Sequence, residues 1–314
     1  MKTISIGQSQ LQSSRLAYGC WRIAGTWDPA EVSPERAAHG RAAVIAAYEA
    51  GYTLFDHADI YCHGEGERIF GQALGEIAGM RDRVVIATKC GIRKAGDPES
   101  HAPYRYDSSA AHIVWSCEQS LRRLDVGTID IYQLHRPDYL ADPAEVAQAF
   151  TELRQAGKVR EFGVSNFTPA QVAQLRKACP MPLLVHQVEI SLHKLACLND
   201  GTLDQCLQEK MTPLAWSPLG AGKICSTGPI DMQSPDHAQR QKLRDVLDEI
   251  ARGHGVTRGV VALAWLLRHP AGIVPIIGST NPERIQENAK ADSLELTRYE
   301  WYRLLEAAVG HRLA

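Results

Sequence analysis

The chain lacks every long apolar run. Its longest, residues 260–267, is far short of the ~20 residues that a membrane-spanning helix needs. It also lacks any Lys/Arg-rich run. Thirty-four basic residues against thirty-six acidic ones leave a formal charge of −2, which excludes nucleic acid or an anionic membrane as the main partner. The opening MKTISIG has no apolar h-region of the secretory kind. Eight cysteines are scattered with no C-x-x-C pair, so neither a zinc knuckle nor a redox dithiol is indicated, and a reducing cytoplasm is the expected location. No G-x-G-x-x-G occurs, which removes the usual Rossmann phosphate turn. The stretch GAGKI at 220–224 lacks the first glycine of a P-loop and has Ile224 where Ser or Thr should follow the lysine.

What is present is an alternation. Four helices are announced by one device, a capping residue followed by proline at the first helical position: Ser33-Pro34, Asp142-Pro143, Thr168-Pro169 and Asn281-Pro282. The cap accepts from an orphan N–H, and proline lacks a donor that would go unused there. The helix after Pro34 is expected to run to about Gly51. The one after Pro143 carries Val146, Phe150 and Leu153 on one face, with Gly157 placed to end it. Ile113, Cys117, Leu121 and Leu124 mark another helix. Between helices lie short apolar or β-branched runs at 16–19, 53–55, 83–88, 129–134, 160–164, 183–188, 212–215 and 273–277. Eight strands alternating with helices predict one α/β domain over 1–314, a (β/α)8 TIM barrel with its site at the C-terminal rim of the strands. An open doubly wound sheet is the runner-up.

The strand ends are unusually polar. Past successive runs come Asp56 and Tyr61, Lys89, His135, Ser165-Asn166, Gln187, Trp216-Ser217, and Gly278-Ser279-Thr280. In a barrel these converge on one rim. Singly, each has an ordinary explanation: a turn, a packed ring, a solvated lysine, a core histidine. Together they fit one chemistry. A tyrosine can give a proton to a carbonyl oxygen, a lysine ammonium favours the phenolate, an aspartate holds the lysine, and a neutral histidine orients the carbonyl. The hydride must come from a cofactor, because no side chain supplies one.

The segments GYTLFDHADIY, VVIATK, IDIYQLHRPD, GKVREFGVSNFTPAQ, QVEISL, AWSPLG and PIIGSTNPERIQEN resemble those of an aldo-keto reductase, in that family's order and over nearly the whole chain. HRPD and VGTIDIYQLH are similar to a bacterial branch of largely uncharacterised oxidoreductases. The resemblance implies reduction of an aldehyde or ketone, reversibly, with Tyr61 as proton donor, Lys89 lowering its pKa, Asp56 holding Lys89 and His135 orienting the substrate. It implies that Ser165, Asn166 and Gln187 bond the nicotinamide carboxamide and Trp216 stacks on its ring. Ser217, Leu219 and Gly220 begin the loop past the pyrophosphate. Gly278, Ser279, Thr280, Arg284, Glu287 and Asn288 match the adenosine and 2′-phosphate segment, and Trp21 a substrate-pocket position. Many relatives carry lysine where Gly278 stands. NADPH is therefore expected over NADH, by a narrower margin than in lysine-bearing relatives.

Two rival readings remain at this stage. Asp56, His57, Asp59, Cys62 and His63 resemble a divalent-metal ligand set, as in a barrel hydrolase, although Lys, Asn, Gln and Trp at the other strand ends are poor zinc ligands. A nucleotide-binding regulatory subunit with little turnover is the other. The loops 21–34, 92–107 and 219–240 are expected to set substrate choice. A small carbonyl compound is the expected partner, without nucleic acid or membrane, and a monomer is the default state.

Overall fold

The computed structural model describes residues 1–313. The chain opens with a short antiparallel hairpin, β1 (Thr3–Ser5) and β2 (Gln12–Ser14), paired Thr3↔Ser14. Then come β3 (Ala17–Gly19), β4 (Leu54–Asp56) and β5 (Val85–Cys90), a small hairpin of β6 (Ile92–Arg93) and β7 (Arg105–Tyr106), and β8 (Ile129–Leu134), β9 (Val159–Ser165), β10 (Leu183–Glu189), β11 (Thr212–Trp216) and β12 (Val274–Ile277). Eight of these, β3, β4, β5 and β8 to β12, close into a parallel barrel, sealed where Ile277 of β12 pairs Tyr18 of β3. The eight runs expected from sequence are these eight strands, with ends that agree to within two residues.

Barrel strands have no solvent face, so their residues are buried on both sides. All six residues of β5 and of β8 are buried. Inside the barrel Ala17, Leu54, Val85, Ala87, Ile131, Val185, Leu214 and Val274 pack together, and Ile6 from the first hairpin joins them from below. The hairpin is fastened across that end: Gly7 N–H donates to Thr212 Oγ1 (2.8 Å), Ser14 N–H to Thr53 Oγ1 (2.7 Å), and Lys2 N–H to Asp292 Oδ2 (2.7 Å).

The outer ring contains α1 (Pro34–Glu49), α2 (Glu65–Glu76), α3 (Ala110–Leu124), α4 (Pro143–Gln155), α5 (Pro169–Ala178), α6 (Thr202–Glu209), α7 (His237–His254), α8 (Arg258–Leu267), α9 (Pro282–Ala289) and α10 (Arg298–Val309). The four proline-led helices start where expected, and each capping side chain accepts a backbone N–H. Two helices exceed the eight of a simple barrel. α10 is locked to α8 by stacked Trp265 and Trp301, 4.9 Å apart, each indole N–H donating to the other's carbonyl (3.1 and 3.0 Å). No helix of the described residues is long and apolar enough to cross a membrane.

Candidate active site

Parallel pairing puts neighbouring strand ends level, and this builds the site. Gly19 pairs Asp56, Asp56 pairs Ala87, Lys89 pairs Gln133, and Ser165 pairs Gln187. Lys89 is fully buried. Its ammonium contacts Asp56 Oδ1 (2.7 Å), Asp56 Oδ2 (2.8 Å) and the His57 carbonyl (2.6 Å), so three acceptors match its three donors. Gln187 adds an N–H to Asp56 Oδ1 (2.8 Å). Tyr61 follows β4 after a turn tied to β5 by Asp59 N–H to the Lys89 carbonyl (3.0 Å), and its ring lies 5.4 Å from the Lys89 ammonium. His135 is held by its own N–H on the Cys90 carbonyl (2.8 Å), and its ring stands edge-on to Tyr61 with centroids 6.1 Å apart.

Burial governs the ionisation here. It holds the His135 imidazole well below its ordinary value, with the Lys89 and Arg136 charges adding to the effect, so the ring is a neutral donor. Burial pulls the Lys89 ammonium down, while Asp56 pushes back. The Tyr61 phenol goes up, through burial first and the Asp56 carboxylate second. The expectation of a lowered phenol is corrected: burial outweighs what Lys89 contributes. The lysine charge is matched at close range by Asp56, its donors are taken, and burial dominates what remains.

Around the four, Asn166 links several expected cofactor residues. Its side-chain N–H groups reach Ser165 Oγ (2.7 Å) and the His135 carbonyl (3.3 Å), and its Oδ1 accepts the Trp216 indole N–H (3.0 Å). Asn166 and Ser217 both hold positive φ (62° and 50°), a strained backbone of the kind that clusters at functional sites. Trp21, Tyr61, His135, Asn166, Gln187 and Trp216 are among the residues lining a cavity of about 250 Å³. Through Trp21, Ser217, Ile276, Ile277 and Gly278 it adjoins a cleft of about 900 Å³. Ser217, Leu219, Gly278, Ser279, Arg284, Glu287 and Asn288 line that cleft; Gly220 and Thr280 lie beside lining residues.

Gly278 lies close against Trp21. A Cβ there would stand 2.7 Å from the Trp21 indole nitrogen and 3.1 Å from its Cδ1. A side chain at 278 would need the partly exposed Trp21 to shift, and Trp21 borders both cavities. Arg284, one of four arginines on that wall with Arg22, Arg252 and Arg258, is exposed in the first turn of α9, whose N-cap Asn281 accepts the Arg284 N–H (3.0 Å).

The aldo/keto reductase family model matches residues 15–308. The chain belongs to the aldo/keto reductase family. As such it is an oxidoreductase. Among its curated relatives, a 6-dehydroglucose reductase of Novosphingobium aromaticivorans is 40% identical, over 98% of this chain and 96% of that protein. An uncharacterised oxidoreductase of Bacillus subtilis, YcsN, is 38% identical over 99% of each. Among solved structures, the glycerol dehydrogenase AKR11B4 of Gluconobacter oxydans superposes with a TM-score of 0.85 at 29% identity, covering 99% of this chain and 97% of that one. An aldo/keto reductase of Klebsiella pneumoniae in complex with NADP and acetate gives 0.76 at 26% identity, covering 96% and 94%.

In this reductase the rival ligand set does not assemble. Asp56 is engaged by Lys89 and Gln187, the His57 ring packs 4.4 Å from Phe70, His63 is exposed, and Asp59 accepts from Ser116 (2.7 Å). Among the described residues no three His, Cys, Asp or Glu side chains are grouped to hold a metal. Two residues of the reductase's mouth escaped the sequence reading. Trp27 stands edge-on to Tyr61 (6.4 Å) and beside Trp21 (5.7 Å). Arg136 lines the catalytic-sized cavity directly after His135. The second was signalled by its place at a strand end in HRPD; the first, in a long loop, carried no periodic or capping signal.

Proposed function

We propose that this enzyme reduces an aldehyde or ketone to the alcohol, reversibly, with NADPH preferred over NADH. The observation that carries the reading is the convergence of Tyr61, the Lys89–Asp56 pair and neutral His135 on one small cavity that adjoins a dinucleotide-sized cleft. The donor set fits the cofactor: amide groups at 166 and 187 for a carboxamide, an indole at 216 for a flat ring, and a helix N-terminus with Arg284 for a phosphate. The bound nicotinamide would supply the hydride.

The rest falls to this chain's residues. His135, uncharged, donates a hydrogen bond to the carbonyl oxygen and orients it. Tyr61 gives its proton to that oxygen as it becomes negative, and Lys89 stabilises the phenolate left behind. Asp56 keeps Lys89 charged in a buried place. In the reverse direction the phenolate takes the proton back. The raised phenol suits reduction, since Tyr61 stays protonated across neutral pH. Because position 278 is glycine rather than lysine, Arg284 and the Ser279 and Thr280 hydroxyls carry the preference for the 2′-phosphate, and the margin over NADH is narrow. Relatives named for 6-dehydroglucose and glycerol support a small, oxygen-rich substrate.

The test is a titration of intrinsic tryptophan fluorescence with NADPH and, separately, NADH, followed by a broad aldehyde panel. Saturable NADPH quenching, weaker with NADH, is the expected result. Tyr61→Phe is expected to keep cofactor affinity and lose ~10²–10⁴-fold in turnover, because only the proton donor is removed. An active Tyr61→Phe enzyme would overturn the role given to Tyr61, and a wild type that binds neither cofactor would overturn the whole reading.

A further inference from the structure

Arg136 has no function in the reaction described so far. It follows His135 at the C-terminal end of β8, lines the same cavity of about 250 Å³ as Tyr61 and Trp216, and is half-buried. Its guanidinium carbon sits 5.9 Å from the centre of the Trp216 ring, whose indole N–H is fixed on Asn166. Among the described residues it has no hydrogen bond and no ion pair. Other half-buried arginines do: Arg93 pairs with Asp97 and Asp107, Arg123 with Glu67, Arg258 with Asp248. The acid two positions on, Asp138, turns away and accepts the N–H groups of Ser108 (2.8 Å) and Leu140 (2.9 Å).

The cavity's other charges cancel. Asp56 neutralises Lys89 at 2.7 Å, and burial keeps His135 uncharged. Arg136 therefore leaves the cavity one positive charge in excess, and its field reaches Tyr61, His135 and Tyr104. A guanidinium partly withdrawn from water and left without an acceptor favours one that a ligand brings, and its planar fork matches a carboxylate better than any single hydroxyl.

Resting on the reductase reading, we propose that Arg136 determines substrate specificity by receiving an oxyanion, a carboxylate carried by the carbonyl substrate a few bonds from the reacting carbon. The substrate class is then an aldehyde or ketone acid. The neighbouring alternative is structural: Arg136 only braces Trp216 and touches no substrate.

The experiment compares succinic semialdehyde with pentanal and glyceraldehyde, in wild type, Arg136→Gln and Arg136→Lys, with NADPH affinity measured by fluorescence. Wild type is expected to favour the carboxylate-bearing aldehyde, with KM rising with salt for that substrate alone. In Arg136→Gln the ratio of kcat/KM for succinic semialdehyde over pentanal falls about tenfold or more, through KM rather than kcat. Arg136→Lys lies between, because it keeps the charge and loses the fork. Equal losses on all three aldehydes, or a parallel loss of NADPH affinity, would mean a brace for Trp216 and overturn the proposal. A selective loss on glyceraldehyde would assign the guanidinium to hydroxyls and overturn it too. In each of these the reductase reading survives; if wild type bound no NADPH and turned over no aldehyde, both would fall.

Discussion

Two aspartates five residues or fewer from Tyr61 meet opposite fates. Asp56 has Lys89 and Gln187 as partners. Asp59 has a single hydroxyl, Ser116, on Oδ2, and its Oδ1 is buried without any partner. Burial pushes its carboxyl up to about 7, against ~3.9 for an unfolded chain. Between those values the folded protein holds a proton that the unfolded one has released, so stability falls as pH rises through that window and returns on acidification. Asp59→Asn keeps a partner for Ser116 and removes the titration. It should gain about 1 kcal/mol or more at pH 8 and little at pH 4, measured by denaturant unfolding at both pH values. Equal gains at both would mean that Asp59 is not held this way. Asp56, Lys89 and His135 stood out in the sequence because each follows an apolar run, and Tyr61 because it lies five residues past Asp56. Their ionisation could not, because it depends on how deeply the closed barrel withdraws them from water. Nor could the closeness of Trp21 to Gly278, a contact between residues 257 positions apart.

At the scale of elements, α2 and α3 are joined behind β5 by a buried network. Glu67 is fully buried, accepts from Thr88 Oγ1 (2.6 Å), and pairs with Arg123 (2.6 Å). Thr88 is the residue before Lys89, so the network also steadies the strand that carries the lysine. Arg123→Ala would leave a buried carboxylate unpaired and should cost about 3 kcal/mol, read from denaturant unfolding. Adding Glu67→Gln should recover much of that loss; failure to recover would show that Arg123 acts through packing instead. The proline-led helices were legible because their start is written locally, in cap and ring geometry. α10 is also written locally, with Thr297 and Glu300 forming a reciprocal cap. The first hairpin is different: its second arm is Gln-Ser-Ser, a poor strand by propensity, which becomes one only by pairing with Thr3–Ser5 and covering the barrel.

For the whole molecule, alternation pointed to a parallel sheet covered by helices and the count of eight runs favoured a barrel, while its closure is seen only where β12 pairs β3. The cleft was less legible. It is assembled from loops after β3, β11 and β12, whose mutual approach no local pattern encodes. The segment 219–240 forms much of its outer wall, with Leu219, Gly222 and Cys225 to Gly228 among the lining residues. Cofactor in the cleft should shield that wall, so limited proteolysis within 219–240 should slow several-fold with saturating NADPH. Equal cutting rates with and without it would refute the shielding.

The hairpin under the barrel has a bearing on traffic. With the strands' interior filled by side chains such as Leu54, Ile131 and Leu214, and Ile6 of the hairpin added beneath, the barrel is a cul-de-sac rather than a corridor. A molecule that enters the cavity cannot emerge on the far side; it leaves by the rim it entered, where Trp21 and Arg136 line the wall. The same few side chains that admit a molecule also release it. A change that tightens their grip on the incoming compound will also lengthen the stay of the outgoing one wherever the two share the gripped group.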